Sequence, residues 1–189
     1  MSYTVHTVDT APTAARDTLA QVAKAYGFLP NLMAVMAEAP ALLEAYPAMI
    51  GLFNQTSLTP AERQLVLLTT SVENGCRYCV AAHTVIAAMQ QVPNDVVRAI
   101  RNDQPILDVR LEAVRRLTSR IVAARGHLTP AETAAFLSAG YTQAQILEVV
   151  LGVGVKTLSN YANHVAETPL DAAFAHAAWT AAATTPASR

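Results

Sequence analysis

Charge is scarce in this sequence, and neither sign dominates. Its 189 residues include 13 Lys and Arg against 14 Asp and Glu, which gives a formal net charge of −1. Proteins that bind nucleic acid or an acidic membrane normally carry a strong basic excess, because phosphate contacts are mostly charge neutralisation. The composition therefore favours neither nucleic acid nor a membrane as a partner.

Long apolar runs are missing as well, although 52% of the residues are hydrophobic. The best candidate for a membrane span, residues 172–183, is short, rich in alanine and interrupted by His176. Residues 1–13 lack the basic-then-apolar pattern of a secretory signal, so we expect a cytoplasmic location. An apolar chain with so little net charge often buries surface against a second copy, so we also expect a homo-oligomer.

Cysteine occurs only twice, at Cys76 and Cys79. A disulfide across so short a loop stabilises a fold little, because it removes little entropy from the unfolded chain. In a reducing compartment such a pair more often serves catalysis or metal binding. The pair is therefore the first candidate for a chemical function.

No segment alternates apolar and polar residues as a strand does, and the chain consists of helical patterns with short breaks. We therefore predict an all-α fold in a single domain over residues 1–189. Asn31 is expected to cap the second helix, and Pro47 is expected to disturb the third. The predicted helices cover residues 13–26, 31–38, 42–54, 59–73, 76–90, 93–102, 108–125, 129–138, 142–163 and 169–182.

The sequence Leu-Thr-Pro-Ala-Glu occurs twice, at residues 58–62 and 128–132. In each copy the Thr is suited to cap a helix, the Pro to its first position, and the Glu to complete a capping box. One interpretation is a good helix start that is used twice. The other is a pair of related helical lobes, of which only the first kept cysteines. The similarity ends after these five residues, which favours the first interpretation.

The segment from Glu73 to His83 has the pattern Glu-x-x-Cys-x-x-Cys-x-x-x-His. Because helix positions three and four apart share a face, Cys76, Cys79 and His83 should form one stripe, with Glu73 at its upper end. A helix N-terminus favours the reactive thiolate, so local reasoning makes Cys76 the more acidic thiol. His83 can exchange a proton near neutral pH, and Glu73 can orient that path. The pattern therefore favours redox chemistry, in which the two thiols close into a disulfide.

A zinc site is the main alternative for the same residues. Cys76, Cys79 and His83 can supply three ligands, and Glu73 or His164 can supply the fourth. The sequence holds no second cluster of Cys or His, which disfavours a structural zinc module. A c-type haem would need His directly after the second cysteine, where valine stands. We expect no cofactor.

Several other residues are interpreted as structural. The glycine-containing run at residues 152–157 lacks the spacing of a phosphate loop and follows no strand, so its expected role is close helix packing. His127 is expected in a solvated loop. A set of large apolar residues at core-like spacing is expected to fill the interior or an interface: Phe28, Met33, Met36, Tyr46 and Phe53.

The cysteine segment resembles the core motif of the AhpD-like alkylhydroperoxidase family, within the carboxymuconolactone decarboxylase superfamily. The helix start at residues 58–66 is similar too, and residues 27–32 and 160–171 resemble the branch described as peroxidase-related proteins. The resemblance covers most of the chain, with its core motif in residues 58–91. It implies an AhpD-like helical bundle and a homo-oligomer, either a trimer or a hexamer.

The resemblance also implies the reduction of alkyl hydroperoxides without metal or haem. In that scheme Cys79 attacks the peroxide oxygen and Cys76 resolves the sulfenic acid as a disulfide. His83 and a glutamate relay the protons. The implied partners are a small hydroperoxide and a reductant protein that bears a thiol or lipoyl group. A disulfide reductase or redox-sensing protein shares the motif and is the alternative.

Two positions depart from the family pattern. Characterised members carry the relay glutamate twelve residues before the first cysteine, where Gln64 stands, and often place His between the cysteines, where Tyr78 stands. Glu73 is expected to supply the missing carboxylate. The decarboxylases of the superfamily generally do not rely on a cysteine pair, so the pair disfavours lactone decarboxylation.

Overall fold

The computed structural model describes residues 3–180, and over that range the chain contains helices and no β-strand. This confirms the predicted all-α fold class. The α-helices are α1 (Arg16–Tyr26), α2 (Asn31–Met36), α3 (Pro40–Asn54), α4 (Pro60–Glu73), α5 (Arg77–Met89), α6 (Asn94–Arg101), α7 (Val109–Ala123), α8 (Pro130–Ser138) and α9 (Gln143–Ala166). Two short 3-10 helices, Thr13–Ala15 and Ala172–Ala177, lie near the two ends.

Helix α4 is the centre of the bundle. It packs against α3, α5, α6, α7 and α9, and α9 also contacts α2, α3, α5 and α7. Residues 64–71 of α4 are all buried, so this helix exposes almost no side chain over two turns. Burial on every side is typical of a helix at the middle of a bundle. The buried apolar residues form one continuous cluster around it.

Helix α9 approaches α3 and α4 closely at Gly152. A Cβ atom at this position would lie 2.6 Å from Phe53 Cζ and 2.7 Å from Val66 Cγ1. Real Cβ contacts are not that short, so only glycine allows this approach. The structural role that the sequence suggested for residues 152–157 is confirmed at Gly152.

The structure corrects three details of the predicted helices. Residues 169–182 do not form an α-helix: the described part contains only the 3-10 helix Ala172–Ala177, and residues 181–182 lie outside the described range. Helix α3 continues through Pro47, because buried side chains on both sides hold it against the core. Pro30 and not Asn31 is the N-cap of α2, and the Asn31 N–H donates to the Asp171 carboxylate at 3.1 Å.

Among residues 3–180, no helix has the length and apolar character needed to cross a bilayer. Helix α9 is the longest, with 24 residues. Its buried face carries Lys156, Asn160 and Asn163. Polar residues on that face place a hydrophilic cluster inside the bundle, beside the cysteine helix α5.

Candidate active site at the cysteine pair

The cysteine pair follows a tightly defined turn between α4 and α5. The Gly75 N–H donates to Val72 O at 2.9 Å, and the Cys76 N–H donates to Ser71 O at 2.9 Å. These two hydrogen bonds form a Schellman motif, which requires a left-handed residue, and Gly75 has φ = 66°. Cys76 then serves as the N-cap of α5. The predicted break at Asn74-Gly75 is therefore a defined turn, which fixes the backbone of Cys76 between the end of α4 and the start of α5.

Both cysteines are free thiols buried in the bundle, each 1% exposed. The Asn163 side-chain amide donates to Cys79 Sγ at 3.2 Å and reaches Cys76 Sγ at 3.8 Å. Ser159 Oγ lies 3.8 Å from Cys79 Sγ. One turn of α9 therefore supplies polar contacts to both sulfurs.

The surroundings make the two thiols unequal. Burial raises the pKa of Cys79, but a hydrogen bond from the Cys76 thiol and the charge of Lys156 outweigh it, so the net shift is downward. The pKa of Cys76 is raised, first by that same hydrogen bond and then by burial. A thiol that donates a hydrogen bond keeps its proton, and the sulfur that accepts it is stabilised as thiolate. The expectation from the helix terminus, which favoured Cys76 as the more acidic thiol, is reversed.

His83 lies between two polar neighbours, with both ring nitrogens occupied. Its Nδ1 is 2.9 Å from Gln64 Oε1, and its Nε2 is 2.7 Å from Lys156 Nζ. An ammonium can only donate, so Nε2 accepts and Nδ1–H donates to the Gln64 carbonyl. Burial, and then the Lys156 charge, hold the pKa of His83 well below its ordinary value of 6.5. His83 is therefore a neutral imidazole with a defined tautomer.

Lys156 completes the site and was not recognised from the sequence. It is 1% exposed, and its ammonium also donates to the Tyr46 hydroxyl at 3.2 Å. A signal for it was present, because Lys156 falls at helical spacing on the stripe of α9 that also carries Gly152, Ser159 and Asn163. A buried lysine needs a polar or negatively charged partner, and Lys156 lies in the polar cluster beside the cysteine pair.

Two of the predicted participants lie elsewhere. Glu73 is exposed at the end of α4 and has no hydrogen bond to a cysteine or to His83, and its charge acts on Arg115 instead. His164 is exposed on the outer side of α9, 6.4 Å from the Tyr161 ring. The structure therefore brings Cys76, Cys79 and His83 into one region and leaves Glu73 and His164 outside it.

The zinc alternative does not fit this geometry. Both His83 nitrogens are engaged, and a lysine ammonium occupies the position facing Nε2. A zinc ligand must offer a free lone pair, and a cation next to it repels the metal. Within residues 3–180, no group of three or more His, Cys, Asp or Glu side chains is arranged to hold a metal ion.

Tyr78, which stands between the cysteines, ties the site to two distant segments. Its hydroxyl donates to Asp171 Oδ2 and accepts from the Leu32 N–H at 3.2 Å. Asp171 also receives the N–H of Asn31. The segments 27–32 and 160–171, which the sequence grouped only by resemblance, therefore meet at this side chain.

Comparisons with known proteins find a family match over part of the chain and a shared fold over most of it. Residues 37–118 match the carboxymuconolactone decarboxylase family, a range that contains α4 and the cysteine pair. No protein of curated function matches the chain by sequence. Among solved structures, an uncharacterised peroxidase-related protein from Ralstonia eutropha JMP134, described as an alkylhydroperoxidase AhpD core, is similar with a TM-score of 0.80. It is 22% identical, over 91% of this chain and 93% of that chain.

Two further structures are similar over nearly the same length. A peroxidase-related protein from Silicibacter sp. TM1040 has a TM-score of 0.77 at 17% identity, over 92% of each chain. The debrominase Bmp8, in a cysteine-to-alanine variant bound to 2,3,4-tribromopyrrole, has a TM-score of 0.73 at 16% identity, over 87% of this chain and 89% of that one. The match to the carboxymuconolactone decarboxylase family covers less than half of this chain, and the fold over nearly the whole chain is similar to that of the AhpD-like helical proteins.

Proposed function

We propose that the protein is a thiol-dependent oxidoreductase that reduces organic hydroperoxides through a dithiol–disulfide cycle of Cys76 and Cys79. The observation that carries the proposal is a buried pair of free thiols on one helix turn, with the Asn163 side-chain amide 3.8 Å from Cys76 Sγ and 3.2 Å from Cys79 Sγ. The lowered pKa of Cys79 and the raised pKa of Cys76 support Cys79 as the nucleophile and Cys76 as the thiol that keeps its proton. A nucleophile next to a protonated thiol is the arrangement that a two-cysteine peroxidase requires.

The cycle begins with attack of the Cys79 thiolate on the terminal oxygen of the hydroperoxide. The O–O bond breaks, an S–O bond forms, and the alkoxide leaves and takes up a proton to become an alcohol. The Cys76 thiol then attacks the sulfenic sulfur, so that the disulfide forms and water leaves with the Cys76 proton. A dithiol from outside the protein reduces the disulfide and is itself oxidised.

Asn163 is suited to place the substrate. Its Nδ2 contacts both sulfurs, while its buried Oδ1 has no hydrogen-bond partner among residues 3–180. A buried acceptor without a partner costs free energy until something donates to it. In the proposed complex, the O–H of the hydroperoxide donates to this oxygen and brings its terminal oxygen to Cys79.

The proton relay of the proposal differs from the one expected from the sequence. Glu73 is exposed and takes no part, and Gln64 occupies the contact with His83 where relatives would present a carboxylate. His83 stays in the site through its contacts with Gln64 and Lys156. The proton for the alkoxide must therefore come from a group other than a glutamate.

Burial of both sulfurs also bears on the partners. Cys76 and Cys79 are each 1% exposed, which favours a small hydroperoxide over a folded protein disulfide as substrate. For the same reason we propose a slender dithiol, such as a protein-borne lipoyl group, as reductant in a reducing cytoplasm. A homo-oligomer, a trimer or a hexamer, is proposed from the exposed apolar residues on the outer face of α9: Leu147, Val150, Tyr161 and Val165.

The test is turnover of an organic hydroperoxide by the reduced protein with a small dithiol as reductant. Wild-type protein should consume the hydroperoxide, and Cys79→Ser should abolish consumption. Cys76→Ser should form one sulfenic acid per chain at Cys79 and then stop, because no resolving thiol remains. Equal, negligible consumption by the wild type and Cys79→Ser would overturn the proposal.

A second candidate is reductive debromination, favoured by the likeness to the debrominase Bmp8. The same dithiol can supply the two electrons that replace a C–Br bond by C–H, with release of bromide and closure of the disulfide. Bromide release from a bromopyrrole, without consumption of hydroperoxides, would select this reaction. A mixed disulfide trapped with a partner protein would select disulfide reduction instead.

A further inference from the structure

Lys156 carries a buried positive charge whose nearest contacts are neutral. The ammonium touches His83 Nε2 at 2.7 Å and the Tyr46 hydroxyl at 3.2 Å, and it lies 5.7 Å from the Tyr46 ring centre. A buried ammonium is costly unless an opposite charge accompanies it. The group that stabilises the Lys156 ammonium must therefore be an anion in the same region.

The groups that act on Lys156 come from four surrounding helices. Tyr26 of α1 and Tyr46 of α3 interact with its charge, Gln64 of α4 reaches it through His83, and the cysteines lie at the start of α5. Among residues 3–180, no carboxylate forms an ion pair with Lys156. Burial lowers the pKa of Lys156, but the charge of Cys79 and the hydrogen bond to the Tyr46 hydroxyl raise it above its ordinary value of 10.5. The Ser159 hydroxyl donates to Lys156 O at 3.0 Å and lies 3.8 Å from Cys79 Sγ, so the anion that this packing brings to the region of Lys156 is the Cys79 thiolate.

His83 is arranged to orient Lys156 and has no outlet for a proton. Its Nδ1–H donates to the Gln64 carbonyl, and a side-chain amide does not accept a proton at neutral pH. A carboxylate at position 64 would open such a path, whereas glutamine closes it. The Cys76 proton leaves with water when the disulfide closes. Lys156 lies on the same stripe of α9 as Ser159 and Asn163, which contact Cys79 Sγ, and is therefore the group left to supply a proton to the alkoxide.

We propose that Lys156 is the counter-ion of the Cys79 thiolate in the reduced protein and gives its proton to the alkoxide that leaves, so that it becomes a neutral amine when the cysteines are oxidised. This inference rests on the proposed function. As the S–O bond forms, the negative charge moves from sulfur to the alkoxide, and the ammonium proton converts that alkoxide to alcohol. Reduction of the disulfide restores the thiolate, and Lys156 takes up a proton again.

Electrostatics gives the reason for this coupling. In the reduced state the buried site holds one positive and one negative charge. Oxidation to sulfenic acid or disulfide removes the negative charge, and a lone buried ammonium would then bear its desolvation cost unpaired. Loss of the Lys156 proton keeps the site neutral in both states. Reduction of the disulfide should therefore take up two protons with two electrons. One proton goes to the Cys76 thiol and the other to Lys156, since Cys79 becomes a thiolate.

The direct test is NMR of isotope-labelled lysine in the full chain, reduced and then oxidised with a chemical disulfide-forming reagent. The chain has only two lysines, and the exposed Lys24 is an internal reference. The Lys156 signal should change from ammonium to amine on oxidation, while that of Lys24 should not move. A Lys156 signal that stays that of an ammonium in both states overturns the inference. Because the oxidant is not a peroxide, the result is independent of the proposed peroxidase activity.

Two variants separate the charge of Lys156 from its proton. Lys156→Met should lose the ultraviolet absorbance of the Cys79 thiolate at neutral pH, and Lys156→Arg should keep it, because guanidinium retains the charge. Arginine does not release a proton, so Lys156→Arg should lose at least tenfold in turnover with alkyl hydroperoxides and less with a peracid, whose leaving group needs no proton. Lys24→Met is the control for lysine loss. Equal loss by Lys156→Arg with both oxidants, in protein shown to be folded, would overturn the role as proton donor.

Discussion

The two copies of Leu-Thr-Pro-Ala-Glu form the same local structure in different surroundings. In the first copy, the Glu62 N–H donates to Thr59 Oγ1 at 3.2 Å, and the Thr59 N–H donates to Glu62 Oε2 at 2.7 Å. In the second copy, the corresponding distances between Glu132 and Thr129 are 3.3 and 2.8 Å. Both copies complete a capping box, and the predicted helix starts are confirmed.

Their tertiary contacts differ. Glu62 is buried and accepts a hydrogen bond from the Tyr141 hydroxyl at 2.6 Å, whereas Glu132 is partly exposed and pairs with Arg120. Helix α4 then runs through the core to the cysteine turn, while Phe136 is the buried residue of α8. Identical local sequence therefore specifies where a helix begins, but it does not specify whether that helix leads to a functional site.

The largest effect should come from adding a methyl group against α4. Gly152→Ala places a Cβ within 2.7 Å of Val66 Cγ1 and should destabilise the protein by about 1–3 kcal/mol through overpacking. Gly154→Ala is the matched control, because its Cβ would meet no atom within 4 Å. The control should be unchanged or more stable by up to about 1 kcal/mol from helix propensity. Denaturant unfolding measures both, and equal stabilities would contradict tight packing around α4.

The next effect contrasts the two glutamates. Glu62→Ala removes the capping box and leaves the buried Tyr141 hydroxyl without its carboxylate, so it should cost about 2 kcal/mol. Glu132→Ala should lower the free energy of unfolding by less, because water can reach its partly exposed partners and replace the lost hydrogen bonds. Thermal or denaturant unfolding of the two variants compares them. If Glu132→Ala proved the more damaging change, the assignment of α4 as the central helix would be contradicted.

The threonine caps should give a smaller difference. Thr59→Ala should lower the free energy of unfolding by about 1 kcal/mol, because fraying at the start of α4 disturbs the core. Thr129→Ala should instead speed amide hydrogen exchange in α8 with little change in global stability, since α8 buries few side chains. Exchange measured residue by residue separates these responses. A larger loss of global stability in Thr129→Ala than in Thr59→Ala would contradict this expectation.

The smallest effect is a dependence on pH. Burial raises the pKa of Glu62, but hydrogen bonds from Tyr141 and Thr59 outweigh it and hold that pKa below its ordinary value of 4.5. A carboxyl group with a lowered folded pKa stabilises the protein above pH 4.5 and loses that contribution as the pH falls through the folded value. The stability difference between the wild type and Glu62→Gln should therefore shrink on acidification. A difference that grows at low pH would contradict this sign.

Much of the helical architecture could be predicted from local sequence. The capping boxes marked the starts of α4 and α8, and the Asn74-Gly75 break marked the turn before Cys76, because these signals act through neighbouring backbone groups. The predictions failed where a tertiary contact replaced a local one. Asp171 binds the N-terminus of α2 from 140 positions away, and no local pattern at Asn31 could reveal it.

The same distinction between local signals and tertiary contacts applies to the candidate active site. The sequence by itself determined the spacing that puts Cys76, Cys79 and His83 on one helix, because three- and four-residue steps share a face. Only the tertiary structure decided which thiol is the acidic one and which residues surround it. Lys156 and Asn163 lie on α9, 73 positions from His83 and 87 from Cys76, and Glu73 faces solvent although its spacing suited the stripe. Charge stabilisation depends on distance through space and on burial, and in this protein the packing of α9 against α4 and α5 sets both.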